Sequence, residues 1–286
     1  ESIYANYRYP YKNWQLQLTH SDYGFDQTLA GLNEDIIYKG RSDNSAIDVK
    51  RIIHRNSKSK TIATIGGYHG NSKNFFDDIE IEVQRRRFAG WKAGITHQRQ
   101  TSLGEFNASM QYQRGTGAFS AIAAPESFIS EAESQPSILE AQLNLRSPFY
   151  ISDASYQYNL QWRGQYSPDV LIPQDRFSIG GRYTLKGSSE EQCLSGEKGM
   201  LLQQEIARIL PLPNQMTLMP YVTVDQGWVD GDSTQFLAGK YLVSSSLGAR
   251  LYASNISIDG FVGKSLQAPD SFDKDTVGGF RVTVYN

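Results

Sequence analysis

The side chains that most often perform catalysis are few and scattered in this chain. Its four histidines, His20, His54, His69 and His97, stand in separate segments, and none accompanies a recognisable nucleophile motif. A hydrolase needs a nucleophile, a base and a group that orients the base. The sequence therefore predicts that the protein is not an enzyme. The single cysteine, Cys193, allows neither an intrachain disulfide nor a thiolate metal cluster built from this chain.

A run of acidic residues at 77–82 raises the question of a calcium site. Calcium needs several convergent oxygen ligands at loop spacing, whereas alternation along a strand separates such side chains. We therefore expect no bound metal. The sequence also contains no Gly-rich phosphate loop, so no other cofactor is expected. The formal net charge of −2, from 28 basic and 30 acidic residues, is not that of a strongly basic nucleic-acid-binding protein. No nucleic-acid partner is expected.

The polar residues that remain must be positioned by strands, because alternation with a period of two recurs along the chain. In 221–228 one face carries Val222, Val224 and Trp228, while the other carries Thr223, Asp225 and Gly227. The segments 139–146, 156–163 and 256–263 show the same pattern. No apolar run approaches the roughly 18 residues of a membrane-spanning helix. One face of each strand is apolar, and the other is too polar to be buried dry.

The placement of aromatic residues separates a membrane barrel from a soluble sandwich, whose apolar face would point inward. Tyrosines and tryptophans lie near the ends of the apolar faces, where membrane barrels carry girdles at the lipid–water boundary. These residues are Tyr7, Tyr9, Trp14, Trp91, Tyr112, Tyr156, Trp162 and Trp228. The predicted fold class is all-β, a transmembrane antiparallel β-barrel in the bacterial outer membrane.

About thirteen strands are predicted, to within a few residues at each boundary. They lie near 2–10, 14–24, 36–54, 61–71, 79–98, 104–116, 138–149, 154–167, 199–209, 217–230, 240–253, 255–265 and 277–285. Several should project from the membrane, since ~9–11 residues suffice to cross it. An up-and-down barrel closes with an even number of strands. The odd count means either a miscount or missing strands, and a chain that begins within a strand favours the latter.

The segment 173–187, which reads PQDRFSIGGRYTLKG, strongly resembles a loop signature of two-partner secretion transporters, the TpsB family. The residues that carry this loop motif are Asp175, Arg176, Phe177, Gly180, Gly181, Tyr183 and Gly187. Further resemblance lies in 77–91, 113–118 and 124–126, in the same order as in the family. The similarity runs from near Tyr9 to the C-terminus.

This resemblance implies a sixteen-stranded barrel that the chain enters at about the fourth strand, leaving thirteen. Residues 1–286 would then be the barrel domain, incomplete at its N-terminus and without the periplasmic POTRA domains and the plug helix of the family. The resemblance also implies that the long loop at 168–198 folds back into the barrel lumen.

In the family, an arginine of this loop pairs with an acid on the inner wall. Lys186 stands at the matching position, and Ser188 replaces the aromatic residue that follows the family's glycine. Lysine keeps the charge but not the bidentate fork of arginine. Asp225 matches the wall acid, and Glu205 is the second choice because alternation places it on the same face. We expect these three residues, with Arg182, to hold the loop in the barrel.

The resemblance implies a pore that secretes one large exoprotein, such as a haemolysin, an adhesin or a contact-dependent toxin, without ATP. Its partners would be that exoprotein and the lipid and LPS of the outer membrane, and the protein would act as a monomer. A passive porin or nutrient channel and a barrel-assembly insertase of the same superfamily remain alternatives. An outer-membrane hydrolase is a more distant one.

Overall fold

A computed structural model of the chain describes residues 2–29, 36–77, 79–122, 135–181, 184–188 and 192–285. Strands dominate, joined by tight turns and by short 3-10 turns such as Glu82–Gln84 and Asp232–Thr234. Among the residues that the structure describes, no helix is long and apolar enough to cross a membrane.

One antiparallel sheet contains most of the strands. Its order is β1-β2-β3-β4-β6-β7-β8-β9-β12-β13-β14-β15-β16, and the short β5 pairs with β4 beside this path. A separate two-stranded sheet consists of β10 and β11. The bounds are β1 Ser2–Tyr11, β2 Trp14–Leu29, β3 Ile36–Arg55, β4 Ser59–Phe76, β5 Ile79–Glu80, β6 Arg86–Thr101, β7 Gly104–Thr116, β8 Ser137–Ile151, β9 Ala154–Tyr166, β10 Phe177–Gly180, β11 Cys193–Gly196, β12 Lys198–Leu212, β13 Met216–Asp230, β14 Tyr241–Tyr252, β15 Ile256–Gln267 and β16 Thr276–Val284.

The sequence prediction of the strands is confirmed, apart from several boundaries and the short strands β10 and β11, which lie in the predicted long loop. The strand predicted at 79–98 begins at Arg86, because a 3-10 turn at Glu82–Gln84 separates it from β5. The strands β2 and β4 extend beyond their predicted ends, to Leu29 and Phe76. The extensions, 25–29 and 72–76, do not alternate regularly between apolar and polar residues, so they lack the pattern from which strands are recognised. Backbone pairing with β3 holds them instead, as between Asp26 and Lys39.

The turn between β12 and β13 shows why the strands reverse where they do. Asn214 and Gln215 both have positive φ values, 59° for each. Two consecutive residues with φ > 0 match the twist of antiparallel strands in a tight hairpin, and asparagine tolerates this conformation better than most residues. The turn therefore keeps β12 and β13 in register from Lys198↔Asp230 to Leu212↔Met216.

The chain divides into two compact units, one of residues 1–97, 110–139 and 167–172 and the other of residues 98–109, 140–166 and 173–286. In the first unit, Ile47 and Ile65 are 48% and 61% exposed, while Lys92 on β6 lies 3.0 Å from Asp48 on β3. Charged side chains thus lie on the less exposed face of these strands.

The second unit shows the same inversion of polarity, with apolar side chains exposed and polar ones buried, more strongly. On β13, Val222 and Val224 are exposed, whereas Thr223 and Asp225 are only 3% and 2% exposed. We call the side of β12–β15 that carries Glu205, Asp225, Ser244 and Gly263 the polar face. A soluble sandwich would bury the valines, so the predicted inversion of polarity is confirmed on this strand.

Candidate functional site

The segment with the loop motif forms a small hairpin, β10–β11, with the register Phe177↔Gly196 to Gly180↔Cys193. Gly180 and Gly181, where the chain leaves β10, adopt positive φ values of 119° and 72°. A side chain at Gly180 would strike the backbone of Gln192 and Cys193. The pair of glycines is therefore a requirement of the local backbone, which residues with a Cβ rarely satisfy.

Apolar residues dock this hairpin on the polar face at one end of the strands. We call residues 173–198 the hairpin segment. Its residues Ile179, Leu185 and Leu194 form a cluster with side chains from β12, β13 and β14, all at most 2% exposed. The strand residues are Leu201, Val229 and Leu242. Full burial of a leucine or isoleucine stabilises by about 1.5–3 kcal/mol. The cluster thus helps to hold the hairpin on the sheet independently of any ion pair.

The base of the hairpin is fixed by a buried carboxylate. Glu197, only 2% exposed, lies with its Oε1 3.5 Å from Nε of Arg176. Its Oε2 accepts hydrogen bonds from the backbone N–H and the hydroxyl of Ser233, at 3.2 and 3.0 Å. Nearby, the carbonyl of Asp175 accepts a hydrogen bond of 2.8 Å from the side chain of Gln165. Two residues of the predicted motif therefore anchor the start of the segment.

The tip of the hairpin segment, residues 184–188, is held on the polar face by main-chain hydrogen bonds. The backbone N–H of Lys186 donates to Oδ2 of Asp225 at 3.0 Å, and that of Gly187 donates to Oγ of Ser244 at 3.3 Å. On the same side, the amide of Gln203 donates to the carbonyl of Thr184 at 2.9 Å. A Cβ on Gly187 would lie 2.6–2.8 Å from backbone atoms of Lys264 on β15. Only a glycine permits this close approach.

The side chain of Lys186 makes a different contact from the one expected. Its Nζ lies 3.6 Å from Oε2 of Glu205 and 4.5 Å from the centroid of the Tyr221 ring. Asp225, the expected partner of the ammonium group, instead receives the backbone N–H. The structure thus brings Lys186, Asp225 and Glu205 together, but it divides their contacts between main chain and side chain.

Four residues of this site were missed from the sequence. Arg250 on β14 makes a bidentate contact with Glu205, at 2.7 and 2.5 Å, and its Nε lies 3.2 Å from Asp259 on β15. The hydroxyl of Tyr221 donates to Asp259 at 2.8 Å, and Asn159 on β9 donates to Glu205 at 3.1 Å. The available signal was alternation, since Arg250 follows Ser244 and Ser246 on the polar face. Alternation gives the face but not the neighbours across it.

Some predicted residues lie outside the part of the chain that the structure describes. These are Arg182, which was expected to help hold the loop in the barrel, Tyr183 of the loop motif, Asp78 of the acidic run, the 124–126 motif and positions 189–191 of the predicted loop. The described motif residues Phe177, Gly180 and Gly187 have the positions given above. Phe177 packs against Gly199, where a Cβ would lie 3.0 Å from its Cγ.

Within the acidic run at 77–82, Glu80 contacts two cations of the protein. Glu80 lies 2.5 Å from Arg85 and 3.5 Å from Lys73. The hydrogen bond from Arg85 holds the pKa of the Glu80 carboxyl below its usual value. Among the described residues, no three His, Cys, Asp or Glu side chains converge as metal ligands would. Of the four histidines, His97 makes an ordinary polar contact, with Thr61 at 2.9 Å.

An antiparallel sheet with exposed apolar side chains and a polar face that carries a docked hairpin has the features of an outer-membrane β-barrel. The chain belongs to the family of haemolysin secretion/activation proteins ShlB/FhaC/HecB, whose model matches residues 1–251. The resemblance found in the sequence is thereby confirmed.

Individual relatives agree with this assignment. The chain is 22% identical to the outer membrane transporter CdiB-2 of Burkholderia pseudomallei, over 98% of this chain and 48% of that protein. It is 28% identical to the haemolysin transporter protein ShlB of Serratia marcescens, over 54% of this chain and 27% of that protein. The chain spans about half the length of the CdiB relatives.

Solved structures support the fold. CdiB from Acinetobacter baumannii superposes with a TM-score of 0.84 and 35% identity, covering 99% of this chain and 50% of that chain. BamA from Haemophilus ducreyi gives a TM-score of 0.59 at 10% identity, covering 98% of this chain and 62% of that chain. The protein is an all-β outer-membrane β-barrel protein, as the alternation and the aromatic residues predicted.

Proposed function

We propose that this chain forms the translocation pore of an outer-membrane transporter that secretes one large partner exoprotein without ATP. The haemolysin and CdiB transporters to which it is similar support a haemolysin, an adhesin or a contact-dependent toxin as that partner. The pore acts by conduction and not by catalysis. It works as a monomer whose exposed apolar face contacts the lipid and LPS of the membrane.

The hairpin segment within 168–198 is the element of this pore that we propose to control passage. It occupies the lumen and is held there by Lys186, Asp225 and Glu205, with Arg182 as a further contact, until export requires it to rearrange. The observation that carries the proposal is the hydrogen bond from the backbone of Lys186 to Asp225, which is 2% exposed. A carboxylate on a water-filled polar face would be hydrated. Its burial is costly unless another group binds it, and the N–H of Lys186 is such a group.

The experiment uses the whole protein in its native bacterium. The gene is deleted and complemented either with the parent gene or with a version that lacks residues 173–198. Proteins in the medium and in the outer membrane are then quantified by mass spectrometry. We expect the shortened version to reach the membrane and to leave one large exoprotein missing from the medium.

Two results would contradict this function. Depletion of many outer-membrane proteins would indicate an insertase. An unchanged set of secreted proteins after deletion of the whole gene, together with slower entry of small solutes, would indicate a porin.

A further inference from the structure

Among the residues that the structure describes, Glu205 has two cationic partners, Lys186 on the hairpin segment and Arg250 on the sheet. The guanidinium of Arg250 reaches both of its carboxylate oxygens, at 2.7 and 2.5 Å, while Nζ of Lys186 lies 3.6 Å from Oε2. The side chain of Glu205 is 12% exposed. A planar guanidinium fits a carboxylate with two parallel hydrogen bonds, whereas an ammonium is a point charge. Arg250 is therefore the stronger and more directional partner.

Arg250 is itself positioned by strand residues. Its Nε contacts Asp259, the residue directly opposite it on β15, at 3.2 Å. Its guanidinium carbon lies 4.2 Å from the centroid of the Tyr221 ring, whose hydroxyl donates to Asp259. Such packing of an arginine on an aromatic face restricts its rotamers and adds a cation–π attraction. The pairing of Arg250 with Glu205 thus involves β12–β15 and needs no hairpin residue.

Withdrawal of the hairpin would therefore affect the two acids differently. Asp225 would lose the N–H of Lys186, but Glu205 would keep Arg250 and the hydrogen bond from Asn159. An acid on the polar face that lost its only cation would be left uncompensated, and this opposes separation strongly. Arg250 removes that obstacle at Glu205.

We propose that Arg250 is a positioning residue that neutralises Glu205 whether the hairpin is docked or withdrawn. The charge of Lys186 then contributes little to retention, and the main-chain hydrogen bonds of the tip, with the apolar cluster, hold the hairpin. Arg250 thereby makes the docked state reversible. This inference rests on the proposed function, in which export requires the hairpin segment to rearrange.

The test measures how often the tip leaves the polar face. Ser188, which is 3% exposed, is changed to cysteine in a Cys193→Ser background. The full-length transporter in isolated outer membranes is treated with a water-soluble maleimide, and the labelling rate at position 188 is followed. Arg250→Gln, Lys186→Gln and their combination are compared with Arg146→Gln, which removes another arginine of the second unit, one that contacts Gln157 at 3.0 Å.

We expect Arg250→Gln to slow labelling by about threefold, because Lys186 alone, of the cations in the described part of the chain, then contacts Glu205. Lys186→Gln alone should change the rate by no more than about threefold, since Arg250 remains. The double variant should label about tenfold faster than the parent, because Glu205 is then unpaired beneath the tip. Arg250→Lys should give a rate between those of the parent and Arg250→Gln, and Arg146→Gln the parental rate.

If Arg250 served only to stabilise the structure, position 188 would be labelled faster, and not more slowly, in Arg250→Gln than in the parent. That result, or a double variant whose rate is the product of the single effects, would overturn the inference while leaving the docked hairpin in place. Labelling of the parent at the rate of a free thiol would instead show that the tip is not docked. The proposed lumen position of the hairpin would then fail together with the inference.

Discussion

The backbone N–H of Lys186 lies 3.0 Å from Oδ2 of Asp225, so a main-chain group at the tip of the hairpin segment binds a carboxylate of the sheet. The neighbouring N–H of Gly187 binds Ser244 on the next strand. Any residue except proline at position 186 can donate such a bond. The replacement of the family's arginine by lysine is therefore compatible with a docked tip.

Gly187→Ala should displace the tip. Its Cβ would lie 2.6–2.8 Å from the backbone of Lys264, which has neighbours on both sides in the sheet and cannot move aside. We expect amide hydrogen exchange in the hairpin segment to become at least about fivefold faster, since overpacking of this kind costs roughly 1–3 kcal/mol. Hydrogen exchange with mass spectrometry on the purified transporter measures this.

Gly260→Ala is the matched control, because nothing lies within 4 Å of a Cβ at that position on the same strand. Exchange in the hairpin segment should keep its parental rate in this variant. Equal acceleration in both variants would mean that the strand, and not the contact with Gly187, determines the effect.

The two substitutions of Asp225 should separate its charge from its role as an acceptor. Asp225→Asn keeps a side-chain oxygen that can accept the N–H of Lys186, whereas Asp225→Ala leaves that N–H buried without a partner. An unsatisfied buried donor costs about 1–3 kcal/mol. We therefore expect single-channel recordings in planar bilayers to show a much higher open probability for Asp225→Ala than for Asp225→Asn. Equal open probabilities would contradict a main-chain contact.

Glu197→Gln should loosen the base of the hairpin segment. The substitution removes the ion pair with Arg176 while the contacts with Ser233 can persist, and loss of a charge from a largely buried pair costs several kcal/mol. We expect faster proteolysis within the hairpin segment of the folded transporter, followed by gel electrophoresis and mass spectrometry of the fragments.

Asp230→Asn is the matched control for Glu197→Gln. It breaks another ion pair of the same unit, with Lys240 at 2.5 Å, but both of its side chains are more than a third exposed. Exposed pairs contribute about 0–1 kcal/mol, so this variant should resist protease like the parent. Comparable cleavage in both variants would show that Glu197 has no special part in holding the segment.

The strands could be predicted because lipid on one side and water on the other impose a period of two on every crossing. Val222, Thr223, Val224 and Asp225 show this in four consecutive residues. The prediction was least accurate where the constraint ends. There, β2 and β4 extend through segments without regular alternation, and Glu82–Gln84 interrupts the strand expected at 79–98.

The site could be predicted only in part for a related reason. Resemblance and alternation indicated Lys186, Asp225 and Glu205, which the structure brings together. Alternation does not give the register between strands, and the register places Arg250 opposite Asp259 and within reach of Glu205. Lys186 contacts Asp225 through its backbone and Glu205 through its side chain. This division depends on the backbone path of the tip, which strand alternation does not define.

The most direct test of the docked hairpin is a cysteine crosslink in intact outer membranes. Lys186→Cys and Asp225→Cys are combined in a Cys193→Ser background and oxidised, and the crosslinked band is quantified with the secreted exoprotein. We expect the crosslink to form and to stop secretion until a reductant is added. Lys186→Cys with Val224→Cys, one residue away on the opposite face, should form none. No crosslink between 186 and 225, or equal crosslinking in both pairs, would contradict a hairpin held on the polar face.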